Sequence, residues 1–281
     1  MNTNPPLVII DSHVHIHDCF DLSKFFESAS SNCQAHAKSQ QHHDHFIGVM
    51  LLTESSWDHW FHKLADWADQ GKTITNDSKT IWSLYRTEED FTLFARSTQG
   101  MNLLIVAGRQ VVTKEKLEVL GLLTSQRFQD GISIQDAIQQ VKESGGVPVI
   151  PWGFGKWWGA RGKILTELLA SSVMTGVFLG DNSGRPSFLP YPSQFSMASQ
   201  QGIRIFPGSD PLPFVSENWR PCSVGFSVKE AVNEARPGED LKKILQNSEI
   251  PMSPYFHHEG LFRFIKNQVS MQLVKHQPST A

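Results

Sequence analysis

Short apolar runs alternate with helical segments in the second half of the chain, and this pattern most constrains the possible fold. The predicted helices cover residues 134–143, 161–172 and 194–201. The predicted strands between and after them cover residues 147–150, 176–179 and 203–206. Strands that alternate with helices are typical of a parallel sheet with helices outside it. We therefore expect an α/β fold, and specifically a distorted (β/α) barrel of the TIM type with about seven strands.

The length of 281 residues suits one such domain, and no linker divides the chain, so residues 1–281 are predicted to form a single domain. Two stretches depart from the alternation. Residues 80–123 contain short strand-like runs without helices between them, which indicates a local meander. The segment around residues 18–45 is polar and rich in Ser, Gln and His, and we interpret it as a loop or helical excursion that covers the strand ends as a lid.

Composition limits the classes of binding partner and the cellular compartments that we expect for this protein. The net charge of -3 and the pI of about 6.4 give no electrostatic reason to expect binding to nucleic acid or to an anionic membrane. No apolar run reaches the ~18 residues of a membrane span, and residues 1–6 do not resemble a secretory leader. The three cysteines are odd in number and widely spaced, so no disulfide framework is expected. These features favour a cytoplasmic protein.

His13 and His15 are the sharpest chemical signal in the sequence. They follow an apolar strand over residues 7–10, and residues two apart on a strand point to the same side. Two neutral imidazoles on one side suit a divalent Zn, Mn or Fe ion, and an acidic residue could complete such a site. The alternative is a pair of solvated histidines in a loop.

Polar residues follow several other predicted strands, where a parallel barrel holds its active groups. Asp210 ends the run Pro207-Gly208-Ser209-Asp210, which follows the strand over residues 203–206. Arg109 follows the strand-like run at 103–107, and Lys156 and Arg161 flank the aromatic pair Trp157-Trp158. We hypothesise that these three basic residues bind an anionic substrate. The tryptophans either bind a substrate ring or pack a loop on the rim.

Several of these motifs resemble the PHP (polymerase and histidinol phosphatase) family, which belongs with the amidohydrolase-like hydrolases. The resemblance covers roughly residues 7–250. Its motifs here are Ile10-Asp11-Ser12-His13-Val14-His15, Val106-Ala107-Gly108-Arg109-Gln110, Lys116-Leu117-Glu118-Val119-Leu120-Gly121-Leu122, Ile134-Gln135-Asp136-Ala137-Ile138, Gly145-Gly146-Val147-Pro148-Val149-Ile150 and Phe206-Pro207-Gly208-Ser209-Asp210. The resemblance implies a distorted seven-stranded barrel, divalent metals and hydrolysis, commonly of phosphoesters.

Four positions depart from the family pattern. Gln110 stands where the family has Glu, and Glu118 where it has His. Trp152-Gly153 replaces His-Pro, and Pro211-Leu212 replaces the histidine that follows Gly-Ser-Asp. The resemblance therefore carries over His13, His15 and Asp210 as metal ligands and Glu118 as a position with a changed ligand type. One metal or none is expected.

Three hypotheses follow for the function. The leading one is a metal-dependent hydrolase that acts on a small molecule, with a phosphoesterase as its more specific form and with Asp210 or Glu118 taking a proton from water. The first alternative is a non-catalytic descendant that has lost its metal and binds a small ligand or a partner. The second is a lyase or decarboxylase of the amidohydrolase type, which shares the His-x-His motif.

Overall fold

Two mixed β-sheets and seven α-helices make up the part of the chain that the computed structural model describes. That part comprises residues 5–42, 45–75, 80–182, 185–186, 188–256 and 260–275. The larger sheet contains β1 (Leu7–Val14), β2 (Phe46–Leu52), β3 (Thr73–Thr75), β4 (Ile81–Arg86), β5 (Thr92–Ser97), β6 (Asn102–Val106), β12 (Gly225–Lys229) and β13 (Ser253–Tyr255). The smaller sheet contains β7 (Gly108–Val112), β8 (Glu118–Leu122), β9 (Val147–Pro151), β10 (Phe178–Asn182) and β11 (Ile205–Gly208).

The predicted seven-stranded barrel is wrong. The larger sheet runs in the order β13-β12-β1-β2-β6-β5-β4-β3 and the smaller in the order β11-β10-β9-β8-β7, and among the described residues neither closes on itself. The physical reason lies in the connections. From β3 to β8 the strands follow each other without helices, so β3–β6 and β7–β9 pair antiparallel and interrupt the parallel series. The α/β class itself stands.

Helices cover the outer faces of both sheets. Their bounds are α1 (Leu22–Ser39), α2 (Trp60–Asp69), α3 (Ile134–Glu143), α4 (Gly159–Leu169), α5 (Ser193–Gln200), α6 (Pro237–Gln246) and α7 (Leu261–Lys275). The predicted helix over residues 134–143 is confirmed. Most of the polar segment 18–45 forms α1, which Asp21 caps through hydrogen bonds from the backbone N–H groups of Ser23 and Lys24. Residues 43 and 44 lie outside the described part, and the lid and single-domain assignments stay predictions.

Side chains of β1 alternate between two hydrophobic cores. Val8 and Ile10 belong to a core that draws residues from both sheets, including Phe206 of β11. Leu7 and Ile9 belong to a second core, which α1 and α2 cover. A third core lies between the smaller sheet and α3–α5. In the described part of the chain, no helix has the length and apolar character needed to cross a membrane.

The two sheets meet where β11 approaches β1, and Gly208 makes this approach possible. A Cβ atom at residue 208 would lie 2.4 Å from Cβ of His13 and 2.6 Å from its backbone nitrogen. The hydroxyl of Ser12 donates to the carbonyl of Pro207 at 2.8 Å. The fold therefore brings the end of β11 against His13.

We expect Gly208→Ala to destabilise the fold by about 1–3 kcal/mol, because the added methyl group must push β11 away from β1. Gly260→Ala is the matched control, since a Cβ atom at residue 260 would meet no atom within 4 Å. Urea unfolding monitored by tryptophan fluorescence measures both variants. Equal unfolding free energies for the two variants would contradict this account of the sheet contact.

Candidate metal centre

His13, His15 and Asp210 converge at the junction of the two sheets. The Nε2 atoms of the two histidines lie 3.1 Å apart, and Oδ1 of Asp210 lies 3.5 Å from Nε2 of His13 and 3.6 Å from Nε2 of His15. Each residue offers one ligand atom to a group within 4.8 Å. Both histidines are buried, whereas Asp210 is partly exposed. The structure thus brings together three of the four predicted metal ligands.

Asn182, at the end of β10, orients two members of this group. Its amide nitrogen donates to the carbonyl of Trp152 at 2.8 Å and to Oδ2 of Asp210 at 2.9 Å. Its Oδ1 must therefore accept, and it lies 3.0 Å from Nδ1 of His13. That contact places the His13 proton on Nδ1 and leaves the lone pair of Nε2 directed at the group, as in metal sites with ordered outer-shell partners.

Backbone contacts hold Asp210 and His13 in register. The N–H group of Asp210 donates to the carbonyl of His13 at 2.8 Å, and Asp210 adopts a φ of 47°, in the left-handed region that Asp tolerates better than most residues. Buried Asp11 accepts from the N–H groups of His13, Ser209 and Cys222 at 3.2, 2.8 and 2.8 Å. Burial raises the pKa of Asp11 to about 6, although these three donors favour its charged form.

The electrostatics suit neutral imidazoles beside a carboxylate. Burial, together with the neighbouring His13, lowers the pKa of His15 to about 3, so His15 is neutral at pH 7. Burial opposes ionisation of Asp210, but His13, His15 and Lys156 outweigh it and hold the pKa of that carboxyl below its usual value. Neutral histidine and ionised aspartate are the forms that bind a divalent ion.

The spacing of the three atoms fits a single ion. Ligand atoms about 2.0–2.2 Å from one ion, at angles between ~90° and ~120° at the ion, lie roughly 2.8–3.8 Å from each other. The observed separations of 3.1, 3.5 and 3.6 Å fall in that interval. The His13–His15–Asp210 group could therefore hold a metal without rearrangement of its side chains.

Glu118, the fourth predicted ligand, lies outside this group. Its carboxylate accepts a hydrogen bond from the ammonium of Lys156 and a longer one, at 3.4 Å, from the amide of Gln110. The stem of Lys156 lies over Gly153, where a Cβ atom would be 2.6 Å from its Cδ. The positive charge of Lys156 contributes to the lowered pKa of both His15 and Asp210.

The other two predicted substrate-binding residues make contacts within the protein. The guanidinium of Arg109 is buried, pairs with Glu54 at 2.9 Å and donates to the carbonyl of Asp58 at 2.6 Å. Arg161, in the first turn of α4, donates to the carbonyl of Gly155 at 2.9 Å. Both therefore hold loops in place, and their contact with a substrate stays a prediction.

Sequence reasoning missed Asn182 and the anchoring role of Asp11. Asn182 follows the predicted strand over residues 176–179, at the end of the run Gly180-Asp181-Asn182. Its position after a strand was therefore the available signal. Asp11 is a charged residue inside an apolar strand, which is itself unusual. His17, two residues after His15, is not a member of the group: its ring stacks on that of His15 at 5.6 Å, and its Nε2 lies 2.9 Å from the carbonyl of Pro211.

We expect Asn182→Ala to weaken metal binding by about 10- to 100-fold, because the imidazole of His13 and the carboxylate of Asp210 lose their shared partner. Asn247→Ala serves as the control, since Asn247 is exposed at the end of α6 and its side chain accepts a hydrogen bond from the N–H group of Glu249. Zn²⁺ titration by competition with a chromophoric chelator measures both. Unchanged affinity in Asn182→Ala would show that this residue does not orient the ligands.

No family model matches the chain, and no curated protein is similar to it in sequence. Among solved structures, PsfC from Pseudomonas syringae PB-5123 is similar in fold, with a TM-score of 0.53 and 14% identity over 97% of this chain and 100% of PsfC. At this identity the likeness concerns the fold alone. It supports an α/β architecture shared over the full length of both chains.

Endonuclease Q, solved with a 27-mer duplex that carries an abasic lesion, is a weaker neighbour. Its TM-score is 0.46 and its identity 13%, over 85% of this chain and 56% of Endonuclease Q. The prediction that excludes nucleic acid as a partner is not retained, since this neighbour was solved with a DNA duplex. The likeness is too low to assign the duplex, or any activity, to this chain.

Proposed function

We propose that this protein is a metal-dependent hydrolase of the PHP type that acts on a small molecule, with a phosphoester as the favoured substrate class. The observation that carries the proposal is the convergence of His13, His15 and Asp210 within 4.8 Å, with the His13 tautomer set by Asn182. Two neutral imidazoles and a carboxylate are a donor set for Zn, Mn or Fe. The resemblance in sequence motifs points to the same chemistry.

Each residue has a defined task in this proposal. His13, His15 and Asp210 would hold the ion, which when bound would supply Lewis-acid chemistry toward the scissile group and a water molecule. Asp210 is the group best placed to accept a proton, because its carboxylate is partly exposed and is held ionised by its neighbours. Lys156 adds positive charge beside the centre, which favours an anionic substrate.

Glu118 takes a different task from the one that the sequence predicts. Its ion pair with Lys156 holds the ammonium in place, so we propose that Glu118 positions Lys156. Glu118→Gln separates this task from metal ligation. A positioning role predicts normal metal content with weaker binding of anionic substrate, whereas a ligand role predicts loss of metal.

Metal analysis of protein purified without chelators tests the proposal. We expect about one ion of Zn, Mn or Fe per chain, and hydrolysis of 4-nitrophenyl phosphate that stops when the metal is removed and returns when it is restored. Less than about a tenth of an equivalent of metal, with no uptake of added Zn²⁺ or Mn²⁺, would refute it. Metal binding without any turnover would instead favour the non-catalytic alternative.

A further inference from the structure

A cavity of about 680 Å³, in the size range of small-molecule sites, is lined by residues of α4, of the first turn of α5 and of the loops that precede these two helices. Four aromatic side chains line it: Trp152, Trp157, Trp158 and Tyr191. We call it the aromatic cavity. Trp152 links its wall to the candidate metal centre, because the carbonyl of Trp152 accepts a hydrogen bond from the amide of Asn182, which also donates to Asp210.

The rings of the aromatic cavity are of two kinds. Trp152 and Trp157 are buried in the core, whereas Trp158 and Tyr191 are each 54% exposed. The exposed rings are nevertheless held. Phe154 meets Trp158 edge-on at 5.1 Å, and the guanidinium of Arg185 lies 5.5 Å from the ring of Tyr191. Two large aromatic surfaces that are fixed but uncovered are suited to stacking on a planar ligand.

Polar groups at the edge of the cavity are donors as well as acceptors. The first turns of α4 and α5 both border it, through Gly159 and Ser193, and neither helix has a side-chain cap at its N-terminus. The partial positive charge of these two helix N-termini favours a ligand with electronegative atoms at its edge. The ammonium-bearing Lys163 lines the same wall.

From these observations we infer that the aromatic cavity binds the planar aromatic ring of the substrate, while the anionic group to be hydrolysed lies at His13, His15 and Asp210. The substrate class is thus an aryl or heteroaryl ester of an acid such as phosphoric acid. This inference rests on the proposed function for the reaction, but ring binding itself needs no metal.

Calorimetry on chelator-treated protein tests ring binding without hydrolysis. The probes are 2-naphthyl phosphate and cyclohexyl phosphate, which share the anionic group and differ in the ring. We expect the wild type to bind 2-naphthyl phosphate about tenfold or more tightly than cyclohexyl phosphate. Stacking of a planar ring on an aromatic side chain contributes an affinity gain of about that size. Equal affinity for the two probes would overturn the inference.

Variants of the two exposed rings test whether the preference for the naphthyl ester arises in the aromatic cavity. Trp158→Ala and Tyr191→Ala should each remove most of the preference, while Trp158→Phe, which keeps a ring, should retain it. Trp57→Ala is the matched control, because Trp57 is 79% exposed and lines a different cavity. A preference that survives in both alanine variants would overturn the inference. Metal content separates the two proposals: a ring preference in a protein that takes up no metal supports the aromatic cavity and refutes the hydrolase.

Discussion

Replacing either His13 or His15 with alanine is expected to lower the affinity for Zn²⁺ by at least about 100-fold, because even a lost outer-shell partner costs ~10- to 100-fold. Both imidazoles direct Nε2 at one point, and the two remaining ligands would leave the ion largely open to water. Metal content after dialysis and a competition titration give the measurement. Hydrolysis of 4-nitrophenyl phosphate should fall with metal content.

Two variants serve as controls for this result. His62→Ala removes an exposed histidine of α2 and should leave metal content unchanged. Asp210→Asn keeps a residue that tolerates the left-handed backbone at position 210, so it tests the carboxylate rather than the fold. Equal metal content in all the variants would exclude this site. Loss in the histidine variants alone would show that the carboxylate of Asp210 is not a ligand.

Local signals in the sequence predict individual elements well. The helix over residues 134–143 has a serine cap, a regular apolar stripe and a terminal Gly-Gly, and these signals depend only on neighbours in the chain. α1 is less evident, because its buried stripe of Phe25, Phe26, Ala29, Cys33 and Ala37 is diluted by small and polar residues. β12 and β13 were missed because each is short and gains its stability by pairing with distant strands.

The pairing order of the strands and the full metal centre depend on long-range contacts. The parity of His13 and His15 on one strand predicts that they share a side, and the structure places them so. Asn182, by contrast, meets His13 across 169 positions of chain, and no local pattern encodes that contact. The barrel prediction assumed that the alternation of strands and helices in the second half of the chain also governs the meander before it. In that meander the strands pair antiparallel, and this pairing decides the topology.

A buried ion pair fixes the loop next to the centre. Oε2 of Glu54 lies 2.9 Å from Nη1 of Arg109, and the other oxygen of Glu54 accepts from the N–H group of Phe61. Burial raises the pKa of Glu54 to about 7 against the opposing effect of these donors, and burial lowers the pKa of Arg109. Desolvation is thus the larger influence on both groups, and the pair contributes less to stability than its short distance suggests.

Replacing Glu54 alone and replacing Arg109 alone should therefore cost different amounts of unfolding free energy. Glu54→Leu leaves a buried guanidinium that cannot lose its proton, so we expect a loss of about 3–5 kcal/mol in unfolding free energy at pH 7. Arg109→Met leaves a carboxyl that neutralises itself by keeping its proton, so its cost should be smaller. That cost should shrink further as the pH falls toward 5, because the native state then binds more protons than the unfolded state.

The double variant Glu54→Leu/Arg109→Met tests whether the single variants lose unfolding free energy through an unpaired buried charge or through lost packing. Because it removes both charges and fills the site with apolar atoms of similar volume, it should recover most of the stability lost in Glu54→Leu. Urea unfolding of the three variants at pH 5 and pH 7 gives the measurement. Additive losses in the double variant would show that the two side chains act independently. In that case the loop before α2 would be held by the hydrogen bond from the guanidinium of Arg109 to the carbonyl of Asp58 rather than by the ion pair.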